Sequence, residues 1–243
     1  MTRLLAAFAF LTRAPIHRHF DDRDVGRSTV FFPLVGAAIG SVLLLLWTRT
    51  PFPPLLTAAL AVTLSAWITR AMHLDGLADF ADGLAGGRTR EDVLEIMRDP
   101  RVGAFGAVAV ALLLLVKVAA IESLADARAL VVAPALARWV SVPVTRAFPY
   151  ARRDGLGLAL SEHVGSVELI GATLSCLCLL LVAPPRLVLY SAGAVVLATF
   201  FVLAIAWRRI GGITGDVLGA NIELAETTAL IAAVGWTSLP SPC

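Results

Sequence analysis

The amino-acid sequence predicts an all-α protein, a polytopic integral-membrane helical bundle of about seven transmembrane helices, and three observations carry that expectation. Of 243 residues, 58% are hydrophobic and 16% charged, against roughly a quarter charged in an ordinary soluble domain. The apolar residues fall in blocks close to the roughly 17 to 25 residues that a hydrocarbon core of about 30 Å demands of a helix. Only 2 Tyr occur, and the alternating strands of an outer-membrane barrel, about ten residues each, have no counterpart in the pattern. Helices are then the remaining way to satisfy backbone polar groups in lipid.

The chain opens MTRLLAAFAFLTRAP. Its apolar stretch, Leu4 to Leu11, is short for a signal peptide, and no clear small-residue cleavage site follows. Residues 1–29 are therefore expected to be retained as an interfacial segment with a short surface helix. Spans are expected at about Val30–Trp47, Pro54–Thr69, Gly103–Ile121, Leu130–Thr145, Val167–Ala183, Leu187–Trp207 and Glu223–Leu239. Several are short for a span, so six or eight would also fit. Pro51, Pro53 and Pro54 mark one tight hairpin, and Pro184 with Pro185 another. The whole chain, 1–243, reads as one membrane-embedded domain with an acidic loop at 70–102. No internal repeat is evident, which counts against an inverted-repeat transporter. Cys176, Cys178 and Cys243 offer neither metal-ligand spacing nor a disulfide framework, and read as small packing residues.

Lys and Arg near span ends are retained on the cytoplasmic side. The loops at 13–29, 70–102, 146–166 and 208–222 hold fourteen basic residues, whereas the alternate loops hold three, Arg49, Arg128 and Arg186. Those four loops are expected to face the cytoplasm. Asp75, Asp79, Asp82, Asp99, Asp154 and Asp216 lie in the same loops and would share that compartment. A net charge of +2 with no basic stripe and interleaved aromatics argues against a nucleic-acid partner.

In HLDGLADFADGL, Asp75, Asp79 and Asp82 stand at i, i+4 and i+7, which on a helix places all three on one face. Like charges there repel. They are tolerable in water, or if a cation bridges them, and an all-oxygen set suits Mg²⁺ or Mn²⁺ sharing substrate phosphate oxygens. The intervening apolar residues favour the metal over a merely wet helix end. His73 beside them reads equally as an interfacial polar residue, a ligand or a proton carrier. Downstream, Thr89 and Asp92 have the spacing of a capping box for a short helix that Pro100 ends. Arg98, Asp99 and Arg101 follow, with arginine suited to forked phosphate contacts or to plain positive-inside anchoring. Lys117 and Arg138 lie inside expected spans, where charge is costly enough to suggest function. Arg138, central, is the better candidate to face a cavity, and Lys117 is placed to snorkel outward. The last loop, GGITGDVLGANIEL, combines flexible glycines with Asp216, Asn221 and Glu223, suited to close backbone approach to a ligand or to a simple re-entry turn.

Taken together, FLTRAPI, FFPLVGAAIG, HLDGLADFADGL, LEIMRDPRVGAFGA, ALARW, YARRDGLG and GGITGDVLGANIEL resemble, in that order, the adenosylcobinamide-GDP ribazoletransferase (cobalamin, vitamin B12, synthase) family, from about Phe10 to Glu226. The resemblance implies an integral membrane enzyme of a bacterial cytoplasmic (inner) membrane. It would be a Mg²⁺-dependent phosphotransferase carrying cobinamide phosphate from adenosylcobinamide-GDP to α-ribazole or α-ribazole 5′-phosphate, with release of GMP. It implies Asp75 and Asp79 as principal metal ligands, Asp82 as a third ligand or general base, and Asp99 and Asp216 completing the site. Arg98, Arg101 and Arg152 would bind phosphates, with Arg13, His73, Arg138 and Asn221 as further candidates for substrate contact. The lipid bilayer is an implied partner, and self-association is left open.

Two other classes compete. A CDP-alcohol phosphotransferase uses similar logic, but its D-x-x-D-G-x-x-A-R signature is not matched, since no Ala-Arg follows Gly83 at the required spacing. A secondary transporter would place charge and broken helices near the midplane, whereas the carboxylates here are expected at one membrane face.

Overall fold

A computed structural model describes residues 1–152, 154–181 and 183–237. Helix α1 (Thr2–Leu11) leads to a short α2 (Asp22–Ser28), capped by the Asp21 side chain, and a 3₁₀ turn that feeds α3 (Phe32–Arg49). The proline hairpin follows, then α4 (Pro54–Ile68) and α5 (Met72–Gly86). Thr89 and Asp92 form the expected capping box of α6 (Arg90–Ile96). After it come α7 (Ala104–Glu122), α8 (Ala129–Ala147) and α9 (Leu156–His163), then α10 (Ser166–Leu180), α11 (Pro185–Ile210) and α12 (Gly215–Thr237). The expected end of the last span at Leu239, and Cys243, lie outside the described residues.

The all-helical class is as expected, but the count of spans differs. Among the described residues four helices are long and apolar enough to cross a membrane: Asp22–Arg49, Ala104–Glu122, Pro185–Ile210 and Gly215–Gly235. A fifth arises if α4 and α5 are one broken span, but the two meet at 89°. α5 packs along the first part of α12, with Gly76 against Asp216 and Gly219 against His73. The segment 70–102, expected as a loop, is thus largely two helices. The expected spans on α8 and α10 fall short for different reasons. The 15 residues of α10 are few for the bilayer. α8 carries Pro134, Pro143 and Arg138, and is buried along most of its length against α3, α10, α11 and α12. It is the pillar of the bundle and has little lipid-facing surface to make apolar.

The closest packing in the fold, α3 on α8, rests on Gly36 and Gly40. A Cβ at either would stand 2.2 Å from a backbone oxygen of α8, that of Pro134 or Leu130. This small-xxx-small spacing lets helix backbones touch where lipid gives no hydrophobic drive to associate. Outer faces are apolar instead: Leu112 and Leu115 on α7, Leu174 and Leu177 on α10, and Leu197 and Phe200 on α11 are exposed. Cys178 belongs to that surface, while Cys176 packs inward as a small apolar residue.

The four basic loops meet at one end of the bundle. Arg90 donates to the carbonyls of Ile210 (2.8 Å) and Ala151 (3.2 Å), Arg209 to that of Gly87 (2.6 Å), and Arg98 pairs with Asp154. Arg70 ties in the first loop by donating to the carbonyls of Thr12 (2.6 Å) and Ala9 (3.1 Å), capping the end of α1. Arg70 and the next residue, Ala71, both adopt left-handed backbone, φ 56° and 54°. Such residues cost about 1–3 kcal/mol each and persist where the surroundings over-determine them. Here they make the sharp turn between α4 and α5.

Candidate active site

The site is built on the contact between α5 and the start of α12. A Cβ at Gly76 would come 3.0 Å from the Asp216 backbone, and one at Gly219 would come 3.3 Å from the Cα of His73. Without side chains at those two positions the helices close up, and Asp75 and Asp79 of α5 come to face Asp216 of α12. Asp216 is held in turn by Arg152, 2.8 Å away. Arg152 is placed by a short backbone ladder in which Ala151 N–H donates to the Ile213 carbonyl and Ile213 N–H to that of Pro149. The Tyr150 hydroxyl accepts from Gly215 N–H at 3.3 Å.

The field between these carboxylates is strong. Partial burial, then the charges of Asp75 and Asp216 and more weakly Asp82, push Asp79 up to about 7, against the opposing pull of Arg152. A group of hard, like-charged oxygen donors in each other's field is what a divalent cation relieves. Mg²⁺ takes one or two carboxylates together with substrate phosphate oxygens, not a closed protein cage. Among the described residues no three His, Cys, Asp or Glu side chains already stand converged on a metal position. Asp75, Asp79 and Asp216 are the residues that would hold the ion.

Asp82 has a different role. Its carboxylate accepts from the backbone N–H groups of Gly103 (2.7 Å) and Gly106 (2.9 Å), at the N-terminus of α7. A Cβ on either glycine would fall 2.4 Å from an Asp82 oxygen. The acid thus caps α7 and draws it against α5, satisfying donors that a helix start leaves orphaned.

Beside the carboxylates opens a cavity of about 250 Å³. Asp75, Arg152 and Asp216 stand at its polar mouth, while Leu11, Phe32, His73, Leu160 and Ile222, all buried, line its depth. Burial, reinforced by the Arg138 charge, pushes His73 down to about 3, so its imidazole is neutral.

The chain matches the cobalamin-5-phosphate synthase family over residues 3–234. It belongs to that family. It is 40% identical to an adenosylcobinamide-GDP ribazoletransferase of Chlorobaculum tepidum, with 97% of this chain and 96% of that protein covered. It is 37% identical to the protein of the same name in Desulfitobacterium hafniense, with 96% of each covered. No solved structure matches the chain.

In this member of the cobalamin-5-phosphate synthase family, the residues expected from sequence separate into two groups. Asp75, Asp216, Arg152 and His73 line one cavity, and Asp79 stands beside it in the field of Asp75 and Asp216. The others are engaged elsewhere. Arg13 donates to the Trp67 carbonyl and covers its ring at 5.0 Å. Arg98 pairs with Asp154 at the exposed rim. Arg101 pairs with Asp99 and holds that carboxyl down to about 2, so Asp99 stands outside the acidic group. Asn221 is the exception: fully buried, it does not line the cavity, and its side-chain amide has no hydrogen-bond partner among the described residues. Arg138, expected to face the cavity, instead pairs with Glu226 and is 1% exposed. Lys117 does not snorkel. It is buried between Glu223 (2.5 Å) and Glu226 (3.2 Å), because two matching acids on α12 remove the reason to reach for water. The sequence did carry that signal: Glu223 and Glu226 sit three apart, as one helix face requires, within reach of two intramembrane bases. The glycine pair of the motif GAFG, which makes room for Asp82, was also readable once a carboxylate partner was sought.

Proposed function

We propose that this chain transfers the cobinamide phosphate of adenosylcobinamide-GDP to a ribose hydroxyl of α-ribazole or its 5′-phosphate, releasing GMP and forming adenosylcobalamin or its 5′-phosphate. The names of its relatives supply the reaction, and one observation supports it in this chain: Asp75 and Asp216 stand beside Arg152 at the mouth of a cavity, with Asp79 next to them in the field of both.

The acceptor hydroxyl attacks the phosphorus that bears cobinamide. A new P–O bond forms, the bond to the GMP oxygen breaks, and the hydroxyl proton passes to a carboxylate. Asp75, Asp79 and Asp216 would hold Mg²⁺, which when bound neutralises charge developing on the diphosphate. Arg152, about one-tenth exposed and beside Asp216, is placed to meet phosphate oxygens with a rigid fork of donors. Asp82, its oxygens taken by Gly103 and Gly106, orients α7 and does not take the proton. The basic loops at this end support a site on the cytoplasmic face of an inner membrane by the positive-inside rule, where a nucleotide-activated substrate is made. Purified protein given both substrates and Mg²⁺ should release GMP in step with product. GMP formation independent of the acceptor, or none at all, would refute the assignment.

A further inference from the structure

Two features of the cavity have no explanation in the chemistry of phosphoryl transfer. Its depth is apolar, with Phe32 stacked on Phe10 at a centroid separation of 5.9 Å and both lining it together with Leu11 and Leu160. In that apolar depth stands His73, 2% exposed, with no hydrogen-bond partner for either ring nitrogen among the described residues. Buried polar groups are rarely left so, because an unmade bond costs about 1–3 kcal/mol. The other polar side chains there are already used: Ser141 donates to the Arg138 carbonyl at 2.7 Å and Thr145 to that of Ser141 at 2.8 Å.

We infer that this cavity is the binding site for the base of the acceptor nucleoside, a flat apolar bicyclic heterocycle with a single acceptor nitrogen, which His73 recognises by donating to it. The inference rests on the reading of the reaction given above and adds which substrate enters and how. Size excludes the corrinoid: about 250 Å³ lies below the roughly 300–1,000 Å³ of pockets that enclose drug-sized ligands, and a corrin macrocycle is larger still. Chemistry decides between the two bases in the reaction. Guanine carries several donors and acceptors on its edges, and the apolar depth around Phe10, Leu11, Phe32 and Leu160, where His73 is the polar side chain left free, would leave most of them unpaired. A benzimidazole has one free ring nitrogen and otherwise apolar edges, so one donor satisfies it. With its base seated against Phe10 and Phe32, the ribose of such a nucleoside extends to the mouth, where Asp75, Asp216 and Arg152 stand.

The test compares His73→Phe and His73→Gln in the purified full-length protein. It measures binding of α-ribazole, of its analogue with carbon in place of the free ring nitrogen, and of GMP, together with KM for both substrates. His73→Phe should weaken α-ribazole about tenfold in Kd and KM, leave GMP binding and the donor KM within about twofold, and bind the carbon analogue as the unmodified protein does. His73→Gln, which keeps a donor, should recover part of the loss. Unchanged α-ribazole binding in His73→Phe would overturn the inference, as would a loss confined to GMP and the donor. If the unmodified protein binds α-ribazole in this His73-dependent way yet never releases GMP, the reading of the reaction fails while the site stands.

Discussion

Removing the Arg138 guanidinium should destabilise the bundle rather than weaken substrate binding. Arg138 and Lys117 face Glu226 and Glu223 in the interior, two positive charges against two negative, with side-chain exposures between 1% and 8%. In Arg138→Met the balance becomes one against two, and Glu226 keeps only the Lys117 it shares with Glu223. Breaking a buried pair by removing one partner costs about 3–5 kcal/mol, because the remaining charge is neither solvated nor matched. For a chain of this size each kcal/mol moves Tm by roughly 2–4 °C, so the detergent-solubilised variant should melt about 6–20 °C lower. The double variant Arg138→Met with Glu226→Gln removes one charge of each sign and should recover most of that loss, since neutral replacement of a whole buried pair is often tolerated. KM for the nucleotide-activated substrate should not change in folded protein. A Tm within about 2 °C of the parent, with a raised KM, would refute the reasoning and mean that the guanidinium meets substrate.

Asp82→Asn should destabilise the start of α7 by about 1–2 kcal/mol, as loss of a helix cap does, and excess Mg²⁺ should not restore its rate. Asp75→Asn, by contrast, should fold normally and be partly rescued by added Mg²⁺, a difference read from rates across a metal titration. Because Asp79 is raised to about 7, protons compete with the cation below that pH. Affinity for Mn²⁺ as a spectroscopic stand-in should fall by up to tenfold per pH unit there, and the slope should flatten in Asp79→Asn. The same shift disfavours the charged form in the fold. The metal-free protein should therefore lose stability as pH rises from the ordinary carboxylate range toward about 7, and Asp79→Asn should raise Tm at pH 8. In a variant without native cysteines, a cysteine at Arg88 should be shielded from an impermeant thiol reagent in intact cells while one at Arg49 labels. Labelling at Arg88 would reverse the orientation.

Much of this organisation was legible in the sequence, and what was missed has a physical pattern. Hydropathy located the apolar helices, and charge bias grouped four loops that the structure joins through Arg70, Arg90, Arg98 and Arg209. Carboxylate spacing marked Asp75 and Asp79, and the glycine-rich last motif marked Asp216. Hydropathy could not separate α8, enclosed by protein, from helices enclosed by lipid, since both environments accept apolar residues. Nor does a charge inside a span state its partner. Arg138 reads as a ligand until Glu226, 88 residues away in sequence, is brought against it. Asp82 was indistinguishable from its two neighbours in the motif, because its role as a cap is set by where α7 begins, a matter of tertiary packing.

The most direct test of the central claim is a single-turnover reaction with adenosylcobinamide-GDP, α-ribazole and Mg²⁺, followed by GMP release in the unmodified protein and in Asp79→Asn and Asp216→Asn. If the facing carboxylates of α5 and α12 are the catalytic centre, each substitution should slow GMP release about a hundredfold or more, a few kcal/mol in the barrier, while the protein remains folded. Release at the parent rate in both folded variants would contradict the account and move the chemistry away from this cavity.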